Sequence, residues 1–441
     1  MKIIIGNIII FFYNQNMEFK EHLKKYLSDF EIEKLIASLN ENEVKHALLL
    51  NEEKMTKEEF VNLFPNVKPH PLVPNVFLYN IEEYPFGKMY YHDLGVYYLF
   101  EPCSSLVSHY LSPNRNDIVL DIAAAPGGKS IHASLLMNNE GILISNEIQT
   151  SRSHILSSNI ERMGRRNTIV TNNDLDAFIP KYEGVFSKII LDAPCSGSGM
   201  FRKQESMKED WTYNKVLSLS SLQKELILKA YTLLHPGGTL VYSTCSFSYE
   251  EDEEVIKHLL SNTDATLVPL PDLDCFYKSK DNIGIHLFPY LFDGEGHYLA
   301  LINKPGELSL NDNKFIQDRN KNIHSLINDQ TGYIYENNGT FYQMPYSFDI
   351  KGLHIIRGGI KLGTLEKYGF NFDHALSHAS KSFPLICEID EDNLHKYLKG
   401  EQLSIGIKDG FYLLTYNNIG VGFAKATKGK LNNRYPKGLR R

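Results

Sequence analysis

The chain has 441 residues, of which 42% are hydrophobic and 22% are charged, and its mean hydropathy is −0.28. This length predicts two to three domains at roughly 150 residues each. Because 12% of the residues are aromatic, the chain has enough material for a core, which excludes a disordered protein. No run of about 18 apolar residues occurs, so a protein with several membrane-spanning helices is excluded.

The charged residues are unevenly distributed. The 46 basic and 53 acidic residues give a net charge of −7, which is not typical of a protein that binds nucleic acid. Residues 425–441, however, contain seven basic residues and no acidic ones. A solvated tail is the ordinary explanation of such a run, but Leu431, Tyr435 and Pro436 within it favour a folded segment.

The five cysteines are widely spaced and form no Cys-x-x-Cys pair. Their odd number and their spacing fit neither a disulfide framework nor a zinc site. We therefore predict free thiols, no metal, and a protein of the cytoplasm. The cysteines are Cys103, Cys195, Cys245, Cys275 and Cys387.

Changes in composition divide the chain into five regions. Gly6 and Asn7 interrupt the apolar stretch at the amino terminus and no small-residue cleavage site follows, so a tail or a mis-assigned start is favoured over a signal peptide. Residues 18–59 are charged and are expected to be helical. The predicted regions are a tail (1–16), an N-terminal α/β domain (17–92), a central domain (93–305), a linker (306–322) and a small C-terminal domain of short Gly- and Tyr-rich strands (323–441).

Strand-like and helix-like apolar patterns alternate through the central domain. Such alternation predicts an α/β fold, with a mostly parallel sheet covered by helices on both faces. Pro236, Gly237 and Gly238 are expected to end the last long helix. The predicted strands are 118–121, 141–146, 168–171, 185–191, 239–243 and 298–302, and the predicted helices are 129–137, 150–163 and 218–234.

A glycine-rich turn follows the first predicted strand, with the sequence DIAAAPGGKS at 121–130. Small residues there let backbone amides approach a ligand at the start of a helix. Alone, the turn is a weak signal, since many α/β proteins have one for tight packing, and it matches neither the P-loop nor the GxGxxG pattern. Glu147 at the end of the next strand adds an acid that binds ribose in dinucleotide folds. Together they predict a site for a cofactor that contains a nucleoside.

Two cysteines follow later strands of the same predicted sheet. Cys195 lies in LDAPCSGSG at 191–199, and Cys245 lies in LVYSTCSF at 240–247. A lone cysteine is usually a small buried hydrophobe, but the carboxyl ends of parallel strands meet at the edge where ligands bind. Two thiols and Asp192 at that edge predict nucleophilic chemistry.

These motifs together resemble the signatures of RNA cytosine-5 methyltransferases of the Nol/Nop/Sun family. The resemblance covers about residues 90–305 and includes LGVYYLFEP at 94–102, DIAAAPGGKS, LDAPCSGSGMFRK and GGTLVYSTCSFSYEEDEE. HLFP at 286–289 and GEGHY at 294–298 are similar to the bacterial RsmF-type branch, which methylates 16S ribosomal RNA. GLH at 352–354, RGG at 357–359 and YPKGLR at 435–440 resemble the RNA-binding, PUA-like carboxyl extension of that branch.

The resemblance implies a class I, Rossmann-like methyltransferase domain and S-adenosylmethionine as the methyl donor. Cys245 would be the nucleophile, Cys195 would serve product release, and Asp192 would hold the cytosine. Lys129 would organise the pocket and favour the thiolate form of Cys245. Arg152 is a weaker cofactor candidate, because a solvated helix face would also explain it. The implied cofactor-binding residues are Ala123, Ala124, Ala125, Pro126, Gly127, Gly128, Lys129, Glu147, Asp174 and Asp192.

The implied partner is RNA, with 16S ribosomal RNA or the small ribosomal subunit as the substrate of a monomeric enzyme that does not bind membranes. Because the base must be unstacked to react, single-stranded or locally melted RNA is favoured. The same chemistry on transfer RNA stays open, since only the carboxyl extension favours ribosomal RNA. A catalytically silent assembly factor is a further alternative, although both the glycine-rich turn and Cys245 are intact. A small-molecule methyltransferase would need neither two thiols nor a basic tail.

Overall fold

The computed structural model describes residues 18–41, 44–309, 321–329, 331–367, 369–380 and 382–440. The predicted tail at 1–16 lies outside the described residues, as does most of the predicted linker. Among the residues described, no helix is both long and apolar enough to cross a membrane. The five cysteines form no disulfide bond.

The first part of the chain forms a small antiparallel sheet with short helices. Two of these helices begin with a capping box, in which Ser28 and Thr56 exchange hydrogen bonds with a glutamate three residues later. The expectation of helix throughout 18–59 is wrong, because residues 46–50 form a strand that pairs on both sides. The helices are α1 (Asp29–Leu39), α2 (Lys57–Leu63) and α3 (Tyr90–Asp93), and strands β1 (His46–Leu50), β2 (Lys68–Pro69), β3 (Val76–Tyr79) and β4 (Tyr97–Phe100) pair in the order β2–β3–β1–β4.

The middle of the chain alternates strands and helices, as predicted. The strands expected at 118–121 and 168–171 have those bounds, whereas the long helix and the strand after it both begin about five residues earlier than expected. The strands are β5 (Ile118–Asp121), β6 (Ile142–Asn146), β7 (Thr168–Thr171), β8 (Phe186–Asp192), β9 (Leu234–Thr244), β10 (Thr266–Val268), β11 (Ile285–Leu287) and β12 (His297–Asn303). The helices are α4 (Ser105–Leu111), α5 (Gly128–Leu136), α6 (Thr150–Arg162), α7 (Ile179–Tyr182), α8 (Glu205–Asp210), α9 (Tyr213–Leu233) and α10 (Glu253–Asn262).

The C-terminal part contains short strands in three sheets. Its strands are β13 (Tyr333–Asn337), β14 (Thr340–Met344), β15 (Ile355–Gly358), β16 (Ile360–Glu366), β17 (Gly369–Phe372), β18 (Ile386–Glu388), β19 (Leu403–Ser404), β20 (Gly410–Tyr416), β21 (Ile419–Thr427) and β22 (Lys430–Asn433). Its helices are α11 (Lys321–Ile327), α12 (His374–Ala379) and α13 (Glu391–Leu398). Two small sheets have the orders β13–β14–β16–β17 and β18–β20–β21–β22–β19.

Strand β15 does not belong to either small sheet, because it pairs antiparallel with β7. The central sheet therefore has the order β10–β12–β9–β8–β5–β6–β7–β15, with β11 paired to β12. The C-terminal part thus contributes a strand to the central sheet and is not fully separate from it. The predicted domain boundaries themselves stay predictions.

Helices cover both faces of the central sheet, which confirms that expectation. Strands β5 to β9 are parallel, and successive residues of β5 pack on opposite sides. Ile118 and Leu120 join the core beneath α9 and α10, and Val119 joins the core beneath α4, α5 and α6. Because both faces are buried, the strands read as continuous apolar runs.

Candidate active site

The predicted site residues meet at the carboxyl edge of the parallel strands. Strand β5 pairs with β6 on one side and with β8 on the other, so the strand order reverses there and opens a crevice at the strand ends. Asp121 and Asp192 are the last residues of β5 and β8, and Cys245 directly follows β9. Sequence order and sheet order together therefore bring distant motifs to one edge.

The two predicted reactive cysteines are in contact. The Sγ atoms of Cys195 and Cys245 are 3.1 Å apart, and both residues are partly buried. The hydrogen bond with Cys245, together with burial, raises the pKa of the Cys195 thiol well above its ordinary value. Cys195 therefore holds its proton at neutral pH, beside the sulfur of Cys245.

Lys129 and Asp192 form an ion pair at the same edge. Lys129 Nζ lies 2.8 Å from Asp192 Oδ2, and the Ser243 hydroxyl donates a 2.7 Å hydrogen bond to Asp192 Oδ1. Burial alone would raise the pKa of Asp192, but the Lys129 ammonium and the nearby His297 outweigh it and hold that pKa below its ordinary value. His297 Nε2 is 3.5 Å from Asp192 Oδ1. The carboxylate is therefore charged at neutral pH.

Glu251 links the two cysteine loops, which we define as residues 193–199 and 244–249. Its carboxylate accepts hydrogen bonds from the backbone N–H and the hydroxyl of Ser196, at 2.8 and 2.5 Å, and from the hydroxyl of Ser246, at 2.6 Å. Gln223 Nε2 donates a fourth at 3.2 Å. Since these serines directly follow Cys195 and Cys245, a single buried carboxylate fixes the loops relative to each other.

The backbone of the glycine-rich turn packs closely against neighbouring side chains. Gly127 has φ +121°, which L side chains rarely adopt, and a Cβ on Gly128 would lie 2.5 Å from the Phe100 ring. Arg152 donates a 2.7 Å hydrogen bond to the carbonyl of Ala125. The turn therefore has a fixed shape, with its backbone amides at the start of α5.

The predicted cofactor acids lie in different environments. Glu147 is buried, and its Oε2 has no hydrogen-bond partner among the described residues, although Arg152 Nη1 lies 3.3 Å away. Asp174 is exposed, and its carboxylate accepts the backbone N–H of Asp176 at 2.9 Å. Glu147 thus belongs to the buried part of the crevice, whereas Asp174 caps a short turn at its margin.

Sequence reasoning assigned no role to Ser243, Glu251 or His297. His297 had a signal, because it lies in the GEGHY motif that carried part of the resemblance. Glu251 had none, since an acidic run at the start of a helix is typical of a solvated end. In the structure, residues 250–253 of that run are all buried.

Another group near the site has the composition of a cation site. Asp252, Glu253 and His286 are buried, and one ligand atom from each lies within 4.8 Å of the others. The imidazole Nε2 of His286 is 2.9 Å from Glu253 Oε1, and the Thr244 hydroxyl donates to Asp252. These bonds tie β11 and the end of β9 to the start of α10. The expected absence of a metal stays a prediction.

Three family models match successive parts of the chain. The N-terminal domain of 16S rRNA methyltransferase RsmF matches residues 16–102, the 16S rRNA methyltransferase RsmB/F model matches 108–303, and the methyltransferase RsmF PUA domain matches 384–441. They occur in the order that the sequence motifs predict. The PUA domain expected at the carboxyl end is confirmed, although its model begins well after residue 323.

The relatives agree with these models. Ribosomal RNA small subunit methyltransferase F of Vibrio vulnificus is 32% identical over 384 residues, which cover 80% of this chain and 81% of the relative. A methyltransferase homolog protein from Pyrococcus horikoshii is 28% identical, with a TM-score of 0.54 over 64% of this chain and 93% of that one. NSun6 from Pyrococcus horikoshii, solved with SFG, has a TM-score of 0.59 over 66% of this chain and 98% of that one, and at 20% identity it shows the fold alone.

The fold, the cysteine pair and these matches define the class: an RNA methyltransferase with an α/β catalytic domain, a small N-terminal domain and a carboxyl-terminal PUA domain. The chain belongs to the RsmF family of ribosomal RNA small subunit methyltransferases, as its motifs predicted.

Proposed function

We propose that this chain transfers a methyl group from S-adenosylmethionine to carbon 5 of a cytosine in 16S ribosomal RNA, through a covalent bond between Cys245 and carbon 6. The observation that carries this proposal is the 3.1 Å contact between the sulfurs of Cys195 and Cys245, beside the Lys129–Asp192 ion pair. A second thiol has no use in direct methyl transfer, but it does in releasing a covalently held product.

The crevice fits a nucleoside-containing methyl donor. Gly127 and Gly128 leave the backbone at the start of α5 free of side chains, and the buried Glu147 Oε2 lacks a hydrogen-bond partner among the described residues. Glu147 would hold the ribose, and the amides of residues 123–129 would hold the polar end of the donor. S-adenosylmethionine supplies an electrophilic methyl group when bound.

Cys245 activates the cytosine by addition. Its sulfur bonds to carbon 6 while its proton passes to ring nitrogen N3, which makes carbon 5 nucleophilic. The charged carboxylate of Asp192 accepts hydrogen bonds from the exocyclic amine and from the protonated N3, and so stabilises the positive charge that remains after carbon 5 takes the methyl group. Lys129 keeps that carboxylate ionised and in place.

Release restores the ring. The carbon 5 proton leaves to solvent, and the bond between carbon 6 and sulfur then breaks with its electron pair on the sulfur. The thiol of Cys195, protonated at neutral pH and 3.1 Å away, donates its proton to that sulfur. The proton at N3 then restores the Cys195 thiol through water, so each cycle releases one proton.

The RNA substrate is inferred from the chain's relatives and its carboxyl domain. The relative from Vibrio vulnificus is named for the small ribosomal subunit RNA, and the PUA domain model matches residues 384–441. Transfer RNA with the same chemistry is the other outcome of the substrate test. The monomeric state stays a prediction.

The roles of the cysteines are tested by adduct trapping on 16S ribosomal RNA and transfer RNA transcripts with methyl-labelled S-adenosylmethionine. We expect Cys245→Ala to abolish methylation and to form no adduct. Cys195→Ala should still add and transfer methyl, then stall as a denaturation-resistant complex that carries label. Cys275→Ala, a partly exposed thiol outside the site, is the control and should behave like the parent.

The opposite phenotypes would exchange the two roles. Methylation that survives in both variants without any adduct would exclude covalent catalysis. Label on transfer RNA but not on 16S ribosomal RNA would overturn the proposal that 16S ribosomal RNA is the substrate.

A further inference from the structure

We propose that a cavity between α6 and the C-terminal strands holds one nucleotide of the substrate RNA, outside the catalytic crevice. This inference rests on the proposed function, because it takes RNA as the substrate. The nucleotide's phosphate would lie against Arg357 and Arg434, and its base against Phe372 and Phe411. The cavity would thus anchor the RNA at a fixed place relative to the cysteines.

The cavity has the size of a ligand site. Its volume is about 460 Å3, within the range of about 300–1,000 Å3 that is typical of small-molecule pockets. It is lined by Glu161, Arg357, Lys361, Asn371, Phe372, Asp373, His374, Phe411, Arg434 and Pro436.

Cations outnumber acids around this cavity. Glu161 pairs closely with Arg357, and Asp373 Oδ2 lies 2.8 Å from Lys361 Nζ. The exposed guanidinium of Arg434 has no acidic or hydrogen-bonding partner among the described residues. Burial lowers the pKa of His374 to about 4, so that ring is neutral at pH 7. The lining therefore carries one excess positive charge in a chain whose net charge is −7.

The buried cation also has unused hydrogen-bonding capacity. Arg357 is 9% exposed, its Nε donates to the Ser157 hydroxyl at 3.1 Å, and its Nη2 faces Glu161. Its Nη1 has no hydrogen-bond partner in the described part of the chain. An unpaired donor of this kind is costly when buried, and a phosphate oxygen is the acceptor that a guanidinium fits best.

An aromatic surface lies beside these cations. The rings of Phe372 and Phe411 are 5.0 Å apart with an interplanar angle of 32°, and both are partly exposed. Proteins that bind single-stranded nucleic acid combine such rings, on which bases stack, with a cationic path for the backbone. The pairing of aromatic rings with an unpaired cation therefore favours a nucleotide over a simple anion.

The surroundings favour RNA over a free nucleotide. Arg434 and Pro436 belong to the basic segment at 425–441, and Lys425, Lys430 and Lys437 of that segment are all exposed. A polyanion would meet these charges along its length, whereas a mononucleotide would use the cavity alone. Arg357, from β15, connects this surface directly to the central sheet.

The test measures binding of a 16S ribosomal RNA transcript and of adenosine monophosphate over a range of salt concentrations. We expect Arg434→Gln to weaken RNA binding and to reduce the slope of log affinity against log salt by about one. Phe411→Leu should weaken binding about fivefold or more without changing that slope. Lys430→Gln removes the same charge from the same segment outside the cavity lining, and we expect a smaller loss of affinity from it. Adenosine monophosphate should bind far more weakly than the transcript.

Equal losses of RNA affinity in Arg434→Gln and Lys430→Gln, with Phe411→Leu binding like the parent, would mean that the charge of the segment acts without the cavity. That result would overturn the proposal. Adenosine monophosphate binding as tight as that of the transcript would assign the cavity to a free nucleotide and would also overturn it. S-adenosylmethionine affinity and the thermal unfolding curve, measured in each variant, should be unchanged, and they report that the central domain and the C-terminal part are intact. Failure of the proposed function is seen separately, as a parent protein that does not methylate the transcript.

Discussion

The carboxyl edge of the parallel strands, where the predicted site residues meet, and the C-terminal cavity hold their charges in different ways. At the edge, Lys129 pairs with Asp192, and four donors surround the carboxylate of Glu251. At the cavity, Arg434 lacks a partner among the described residues, and one nitrogen of Arg357 is unsatisfied. The charged groups at the edge therefore have their partners before RNA binds. The cations at the cavity do not, and an anionic ligand would supply the missing partner.

The difference fits the functions proposed for the two regions. Groups that act on developing charge work best when they are already oriented, because no reorganisation is then needed during the reaction. A binding surface gains affinity from contacts that are completed only in the complex. Because an exposed arginine is solvated, leaving it without a partner costs the free protein little stability. Substitutions at the edge can show how far its groups are oriented without RNA.

The largest effect is expected from removing the acid that joins the two cysteine loops. Glu251→Ala leaves three buried donors on Ser196 and Ser246 without their acceptor, and each unpaired donor should cost about 1–3 kcal/mol of unfolding free energy. A shift of about 1 Å between the sulfurs should slow product release, and with it the multiple-turnover methylation rate, about 100-fold. Multiple-turnover methylation and denaturant unfolding measure the two effects.

Glu250→Ala is the matched control. This neighbouring acid is also buried, but it faces His22, Lys25 and Tyr213 in place of the cysteine loops. It should lower stability while leaving the rate per folded enzyme nearly unchanged. An equal loss of rate in both variants would mean that Glu251 acts through stability alone.

A smaller effect is expected at the proposed ribose site. Glu147→Gln removes the charge from one hydrogen bond to the methyl donor, which should cost about 1.5 kcal/mol and weaken S-adenosylmethionine binding roughly tenfold. Asp174→Asn, at the exposed margin, should change the affinity less. Calorimetry that finds the parent affinity in a folded Glu147→Gln variant would remove this acid from the site.

The effect that is smallest within one pH unit is a dependence of stability on pH. Burial raises the pKa of Asp121 to about 7, although the hydroxyl of Ser130 donates to its Oδ2. In the unfolded chain the carboxyl titrates near pH 4, so between these values the folded protein holds a proton that the unfolded chain has lost. The unfolding free energy should therefore fall as pH rises from about 4 to 7, by at most about 1.4 kcal/mol per pH unit.

Asp121→Asn should remove this contribution, because the amide does not titrate. The difference in unfolding free energy between Asp121→Asn and the parent should then shift in favour of the variant as pH rises. A constant difference from pH 4 to 7 would show that Asp121 is ionised throughout in the folded protein.

Much of the central fold was predictable because parallel strands buried on both faces are continuous apolar runs. The strands at 118–121 and 168–171 are recognisable for that reason. Strand β1 was mistaken for helix, since its apolar residues follow a charged helical stretch and lack alternation. The membership of β15 in the central sheet was not predictable, because its partner β7 lies nearly 200 residues away along the chain.

The candidate site was predictable to a similar extent. Cys195 and Cys245 both follow strands, so strand order alone indicates that they meet. Glu251 and Ser243 act through hydrogen bonds to other loops, and nothing in their local sequence separates them from ordinary polar residues. The sequence does not show that Asp174 and Glu147 differ in burial. The resemblance assigns both acids to the cofactor site, but Asp174 is exposed.

The pairing of β15 with β7 has a practical consequence for dividing this protein. A fragment that ends near residue 305 would keep every residue proposed to be catalytic, but it would lose the strand that covers β7. The freed N–H and C=O groups of β7 would form an open sheet edge, which is a template for aggregation. The C-terminal part therefore also protects that edge, and a soluble catalytic fragment needs to retain residues 355–358.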